Sequence, residues 1–274
     1  MTVVWLDGEL VGSEMARISP FDHGLLTGDG VFETLRIYGG EPFASRRHLE
    51  RLSRSAEGLR LAAPGADILR PAMAAVIDAN SLADGRMRIT VTGGPSPLGS
   101  DRGDMRPTVI IAATAMSPWP ATADVGVAPW PRNERGALTG LKTVSYGENV
   151  VALNWARDRG ASEALFGNLS GNLCEGTGTN IFVGVGGRLL TPPLSSGCLA
   201  GVTRELVMEL ATVVEDDLPL AVLGVADEAF LTSSTREVQP VRAVDGAFLA
   251  AAPGPLTAAA AAAFSDLVVR DRDP

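Results

Sequence analysis

Residues 116–122 read Met-Ser-Pro-Trp-Pro-Ala-Thr, and this stretch decides how the 274-residue chain is partitioned. Pro118 and Pro120 each fix their own φ and lack an amide donor, so neither a helix nor a paired strand runs through them. Strand-like and helix-like segments alternate on both sides. The spacing predicts an α/β (α+β) protein with an N-terminal α/β domain over 1–116, a linker over 117–122 and a C-terminal domain over 123–274. A cleft is expected between the two domains.

Upstream of the linker, Val3 to Val11 predicts a hairpin turning on Asp7-Gly8, a dipeptide suited to positive φ. Gly30 to Gly39 reads as a strand. Leu49, Leu52, Ala56 and Leu59 recur at helical spacing with charges between them, which predicts an amphipathic helix over 44–61. A second helix is expected over 67–80, opened by Asp67 as its cap, and strands over 86–92 and 108–115. Downstream, the pattern predicts helices over 149–159, 201–214 and 256–269, with strands over 163–168, 180–185 and 230–232. The alanine tract at 258–263 is explained by helix propensity alone.

Hydrophobic residues make up 46% of the chain, enough for a sizeable core. A net charge of −9 argues against nucleic acid or an anionic membrane as partner, while a local arginine cluster leaves a small anionic substrate open. The start, MTVVWLDGELV, has neither a basic region nor a long apolar run, and no segment approaches a bilayer span. With only Cys174 and Cys198 there is no disulfide framework and no zinc-ligand spacing. A cytoplasmic protein is expected.

Lysine occurs once, at Lys142, among 23 basic side chains. Arginine stays protonated, whereas a lysine amine can attack a carbonyl to form a Schiff base. A single lysine is therefore a candidate nucleophile, or else a surface survivor of arginine-rich composition. If its partner is pyridoxal phosphate, the phosphate needs amides at a helix start plus hydroxyls or an arginine, and the pyridine nitrogen needs a carboxylate. Gly201-Val202-Thr203 precedes a predicted helix, so the Val202 and Thr203 amides suit a phosphate, though they also suit a plain helix cap. Thr232-Ser233-Ser234-Thr235 is a hydroxyl cluster or a turn. Glu175, in CEGTGTN, is either a ligand-facing carboxylate or a solvated loop residue.

Taken together and in this order, these segments resemble the class IV aminotransferase family, the fold type IV pyridoxal-phosphate enzymes. The resemblance rests on LCEGTGTNIFV at 173–183, TPPLSSGCLAGVTRELV at 191–207 and SSTREVQPV at 233–241. It extends to PFDHGLLTGDGVFETLRIYGG at 20–40, HLERL at 48–52 and GLKTVSYGENVVAL at 140–153. It implies a smaller N-terminal domain, a larger C-terminal pseudo-barrel domain, pyridoxal 5'-phosphate as cofactor, and a homodimer. By the same resemblance Lys142 forms the Schiff base and moves protons, and Glu175 pairs with the pyridine nitrogen. Arg51 and the Val202 and Thr203 amides bind the phosphate, with Ser234 or Thr235 adding hydroxyls. Phe32, Thr34 and Arg36 line the cleft, with Thr34 and Arg36 near the amino substrate, while His23 and His48 are structural.

Within the family, PRNERGALTGLK at 131–142 resembles the approach to the lysine in aminodeoxychorismate lyase, which converts 4-amino-4-deoxychorismate to 4-aminobenzoate and pyruvate for folate synthesis. The short chain agrees with that reading. TVSY after Lys142 departs from it, because lyases commonly carry an aliphatic residue and then asparagine there. The alternative is an aminotransferase acting on D-amino acids or branched-chain amino acids with 2-oxoglutarate. A pyridoxal-phosphate-binding protein without turnover is a third reading. A dicarboxylate substrate would call for cations, and Arg102 and Arg106, in the Gly/Pro-rich segment 93–107, are the unassigned ones.

Overall fold

The computed structural model describes residues 2–103 and 106–274. The chain divides into two compact units. One comprises residues 1–117, 141–146 and 271–274; the other comprises 118–140 and 147–270. The boundary falls between Ser117 and Pro118. Residues 141–146 and 271–274, assigned from sequence to the C-terminal domain, pack with the first unit instead. The reason is long-range pairing that no local pattern reveals: the 141–146 segment is hydrogen-bonded along a strand more than a hundred residues upstream.

In the first unit, β1 (Val3–Leu6) and β2 (Glu9–Gly12) form the expected hairpin, with Asp7 at φ 49° and Gly8 at φ 110°. The helix α1 (His23–Thr27) follows, capped by Asp22, whose carboxylate accepts from the Gly24 amide. Next come β3 (Gly30–Tyr38), β4 (Glu41–Pro42), α2 (Ser45–Gly58), α3 (Ala66–Ala79), β5 (Gly85–Thr92) and β6 (Val109–Thr114). The strands form one antiparallel sheet in the order β2-β1-β6-β5-β3-β4. Strand alternation sends Val31, Leu35 and Ile37 into a core with Leu49 and Leu52 of α2 and Leu69, Met73 and Val76 of α3. Asp67 lies inside the first turn of α3 rather than capping it; the cap is Gly65.

The second unit holds β7 (Ala123–Val127), α4 (Gly147–Arg157), β8 (Glu163–Gly167), β9 (Leu173–Gly176), β10 (Asn180–Val185) and β11 (Arg188–Thr191). These lead to α5 (Val202–Leu210), β12 (Val213–Glu215), β13 (Glu228–Ser233), β14 (Glu237–Val244), β15 (Ala247–Phe248) and α6 (Pro255–Arg270). The sheet order is β12-β11-β10-β13-β14-β7-β8-β9, with β15 on β14. It is mixed, since β14, β7 and β8 run parallel. The helix expected over 201–214 stops at Leu210, because β-branched Val213 and Val214 pair with β11 as a short strand. Ile181, Val183, Leu231 and Val241 join Val125 and Leu165 in the core of this unit. No helix of the described residues is long and apolar enough to cross a membrane.

Candidate active site

The amphipathic reading of α2 accounts for only part of its buried surface. Beside the apolar stripe of Leu49, Leu52 and Ala56, a polar edge of His48, Arg51 and Ser55 is also buried. Three- and four-residue spacing places these on one side of the helix. Opposite them stands Glu33, which strand alternation turns toward α2 in the same row as Val31 and Leu35. Arg51 donates from Nε to Oε1 of Glu33 at 2.8 Å and from an Nη to Oε2 at 2.7 Å. His48 Nδ1 meets the same Oε2 at 2.7 Å. Burial by itself would raise the Glu33 carboxyl, but the charge and hydrogen bonds of Arg51, helped by His48, hold it well below the usual carboxylate range. Burial also lowers His48, so its ring is neutral at pH 7 and donates through Nδ1.

The polar edge of α2 ends at Ser55, whose Oγ accepts from the backbone amide of Lys142 at 3.1 Å. The lysine segment runs beside β3: Phe32 donates its amide to the Lys142 carbonyl at 3.0 Å, and the Val144 amide donates to Gly30 at 2.9 Å. Glycine is needed at position 30, since a Cβ there would come within 2.8 Å of the Val91 carbonyl and 3.1 Å of a Val144 methyl. The Lys142 amine lies 4.4 Å from the centroid of the Phe32 ring. Arg88, on β5 opposite Thr34, places its guanidinium carbon 3.7 Å from the same ring. Tyr146 meets Phe32 edge to face at 5.3 Å. Thr34 follows Phe32 on the same face of the sheet. Arg36 is a further step along, about 13 Å of strand from Phe32, bonded to the Gly85 carbonyl and stacked on Tyr38.

In the second unit Glu175 sits on β9, not in a loop, with one side-chain oxygen accepting from the Leu199 amide at 2.9 Å. Its other oxygen is 3.4 Å from an Nη of Arg132. Arg132 is fixed in turn by Asn149, which accepts at 3.0 Å, by Glu148 at 3.5 Å and by the face of Phe166 at 4.1 Å. Asn149 donates onward to the Thr177 carbonyl. Sequence reasoning assigns no role of their own to Arg88, Arg132, Glu33 and Asn149. Arg132 is visible there only as part of a family pattern, and its neighbour Asn133 is a turn residue. Asn133 accepts from the Arg135 amide at 2.9 Å through its side chain and from Thr139 Oγ1 at 2.7 Å through its carbonyl.

The Leu199 contact ties Glu175 to the start of α5. Gly201 caps that helix without a side chain, so the helix start offers amides that its own first turn leaves over. Val202 and Thr203 are buried there. Asn180 donates to the Leu199 carbonyl at 2.9 Å, and its Oδ1 occupies the space a Cβ on Gly201 would take. Across the sheet from Asn180, Thr232 carries a buried hydroxyl with no hydrogen-bond partner among the described residues. Leftover amides at a helix start and an unsatisfied buried hydroxyl fit a phosphate group. Ser234 and Thr235 lie in the turn after β13, a turn closed by the Arg236 amide donating to Ser233 Oγ at 3.1 Å.

Arg102 is not an open cation. It grips Asp29 through Nε and an Nη at 2.7 and 2.6 Å, and donates to the carbonyls of Arg60 and Leu59. Arg106 is exposed, and Asp104 and Met105 of the same segment lie outside the described residues. Asp29 also holds His23, whose Nδ1 is at 2.7 Å while its Nε2 faces the Gly99 carbonyl at 2.9 Å. Both neighbours accept only, so both ring nitrogens carry protons. Those two bonds raise the His23 pKa against the opposing effect of burial.

A lysine amine on an aromatic wall and a carboxylate joined to a phosphate-ready helix start are the parts of a pyridoxal-phosphate enzyme. The Amino-transferase class IV family model matches residues 30–244, and the chain belongs to that family. A putative branched-chain-amino-acid aminotransferase of Methanocaldococcus jannaschii is 36% identical over 255 residues, covering 89% of this chain and 88% of the relative. An aminodeoxychorismate lyase of Bacillus subtilis is 31% identical over 259 residues, covering 89% and 87%. The solved branched-chain amino acid aminotransferase of Thermobaculum terrenum, in its PLP-bound holo form, superposes with a TM-score of 0.89 at 26% identity, covering 98% of this chain and 95% of that one. The fold is therefore that of fold type IV enzymes, as expected from the sequence. The cofactor is pyridoxal 5'-phosphate.

Proposed function

We propose that this chain is an aminotransferase that exchanges the amino group of branched-chain amino acids with 2-oxoglutarate. The observation that carries the reading is the Phe32 ring, against which both the Lys142 amine and the Arg88 guanidinium lie, with Tyr146 at its edge. Phe32 and Tyr146 make an apolar wall suited to an aliphatic side chain. Arg88 adds a cation suited to the second carboxylate of a keto diacid. When bound, pyridoxal 5'-phosphate supplies an aldehyde and an electron-withdrawing ring. Lys142 Nζ provides the amine that engages it and then carries the proton removed from the substrate α-carbon. Glu175 keeps a proton on the pyridine nitrogen, oriented by Arg132. Arg51, the Val202 and Thr203 amides and the hydroxyls of Ser234 and Thr235 bind the phosphate. Thr34 borders the amino substrate, with Arg36 further out.

The lyase is the second reading, favoured by the Bacillus subtilis relative. Its sequence signature weakens once its residues are followed individually. Arg132 serves Glu175 and Asn133 serves a turn, and both uses suit either reaction. One experiment separates the two. L-leucine, L-isoleucine or L-valine added alone to the purified protein shifts the absorbance of the bound cofactor to that of the pyridoxamine form. Failure of all three, with pyruvate and 4-aminobenzoate released from 4-amino-4-deoxychorismate, overturns the aminotransferase reading in favour of the lyase.

A cytoplasmic homodimer is the proposed setting. Cys174 and Cys198 are both free thiols, in keeping with a reducing compartment. Phe21, Leu25, Leu26 and Leu98 are exposed on segments joined by the Asp22–Pro95 bridge, an apolar strip suited to a second copy. Light scattering coupled to gel filtration tests the assembly.

A further inference from the structure

We propose that Glu33 is a positioning residue for the cofactor phosphate, fixing Arg51 in the orientation in which its guanidinium meets that group. The inference rests on the reading of Arg51 as a phosphate ligand. Its starting point is a placement that core packing alone does not favour. Glu33 is 0% exposed and occupies a helix-facing position of β3 between Val31 and Leu35, both part of the apolar core. Taking a carboxylate and a guanidinium out of water costs several kcal/mol per ion, and an apolar pair of similar volume often does as well or better. Stability therefore does not account for an acid at this position.

The geometry indicates what the acid does. Three donors converge on it, Nε and an Nη of Arg51 at 2.8 and 2.7 Å and Nδ1 of His48 at 2.7 Å. A two-point contact with a carboxylate fixes the plane of a guanidinium, not merely its distance. His48, one turn earlier on the same edge of α2, holds the carboxylate in that plane. Ser55, one turn later, accepts from the Lys142 amide. One helix edge thus carries the anchor of the phosphate and the anchor of the lysine backbone, and Glu33 sets the angle of the first relative to the second. The charges agree with this division: Glu33 ionised, Arg51 cationic and His48 neutral leave the cluster balanced before an anion arrives.

A purely structural ion pair would affect pyridoxal and pyridoxal phosphate alike, whereas a positioning residue for the phosphate affects only the second. The test is binding of each compound to the full chain freed of cofactor, followed by tryptophan fluorescence. Glu33→Gln is expected to weaken pyridoxal phosphate by about 10- to 100-fold, as when a residue that orients a ligand is removed, and to leave pyridoxal unchanged. Glu33→Asp, which keeps the charge, restores part of the loss. A Glu33→Leu/Arg51→Leu double variant removes both ions together, so it folds where a single truncation leaves a buried charge. It is expected to lose much of the preference for the phosphorylated compound, the Val202 and Thr203 amides and the hydroxyls of Ser234 and Thr235 keeping the rest. If Glu33→Gln and Glu33→Asp keep the wild-type preference for the phosphorylated compound while the double variant loses much of it, the role of Glu33 is overturned and that of Arg51 stands. If the double variant also keeps the full wild-type preference, the Arg51 reading fails and the proposal with it.

Discussion

Arg132 holds Glu175 by one corner of its guanidinium while another corner is held by Asn149, at 3.4 and 3.0 Å. Its side chain is 15% exposed and that of Glu175 14%, so the contact is shielded and the carboxylate has limited freedom to turn. Arg132→Ala should leave the fold intact and lower kcat by roughly 30-fold, equivalent to about 2 kcal/mol of lost orientation. Steady-state kinetics with a saturating amino donor measures this, and an unchanged kcat would show that Glu175 needs no support.

Lys142→Arg keeps the positive charge beside Phe32 but removes the only primary amine on a side chain. It should abolish the absorbance of the lysine-bound cofactor and reduce turnover on the order of 10⁴-fold or more. An active Lys142→Arg enzyme would mean that the nucleophile lies elsewhere.

Arg88→Gln should raise KM for 2-oxoglutarate by about tenfold or more, the loss expected when a charged hydrogen bond to a carboxylate is removed. The half-reaction with L-leucine should change little. Equal effects on both half-reactions would place Arg88 at the shared α-carboxylate instead.

Gly201→Ala puts a Cβ 2.0 Å from Asn180 Oδ1. Asn180 must then release the Leu199 carbonyl and disturb the residue whose amide Glu175 accepts. Overpacking of this kind costs about 1–3 kcal/mol, so cofactor affinity should fall by roughly 10- to 100-fold. Fluorescence titration with pyridoxal 5'-phosphate reads the change.

His23 predicts a pH signature. Hydrogen bonds to Asp29 and Gly99 raise its pKa above the unfolded value of 6.5, so its contribution to stability is complete below pH 6.5 and is lost as pH rises through the higher folded value. Asp29 shifts the opposite way: burial would raise it, but Arg102 and His23 outweigh burial, and its contribution fades only in acid. Urea midpoints should therefore decline from pH 6 to pH 8.5, and His23→Asn should flatten that decline. A wild-type protein whose midpoints do not fall would contradict the doubly protonated ring.

The parts of this molecule legible from sequence are those governed by local periodicity. The apolar stripe of α2, the Asp7-Gly8 turn and strand β3 carry their signals within a few residues, and Lys142 and Glu175 stand out by composition and by family resemblance. Arg88 gives no such signal because the role proposed for it comes from facing Phe32 across two strands, a relation set by register. Arg132 acquires a role only through β9, whose residues read as a glycine-rich loop. Glu33 reads as one polar residue on a strand, and only the polar edge of α2 opposite it shows why a charge is tolerated there. Arg102 shows the converse error, a loop arginine that reads as available although Asp29 holds it.

The detour of residues 141–146 into the first unit has a consequence for how the protein is made. Strand β3 acquires its Lys142 and Val144 hydrogen bonds only after those residues have left the ribosome, and Ala44 and Arg46 at the head of α2 are bonded by Arg272 and Asp273. The first unit is thus completed only after residues 141–146 and 271–274 have been made. Until those residues emerge, the first unit lacks the backbone bonds they supply, a stage at which nascent chains are more exposed to aggregation. Stalling translation after residue 140 should leave the first unit protease-sensitive, although nearly all of its sequence is already present.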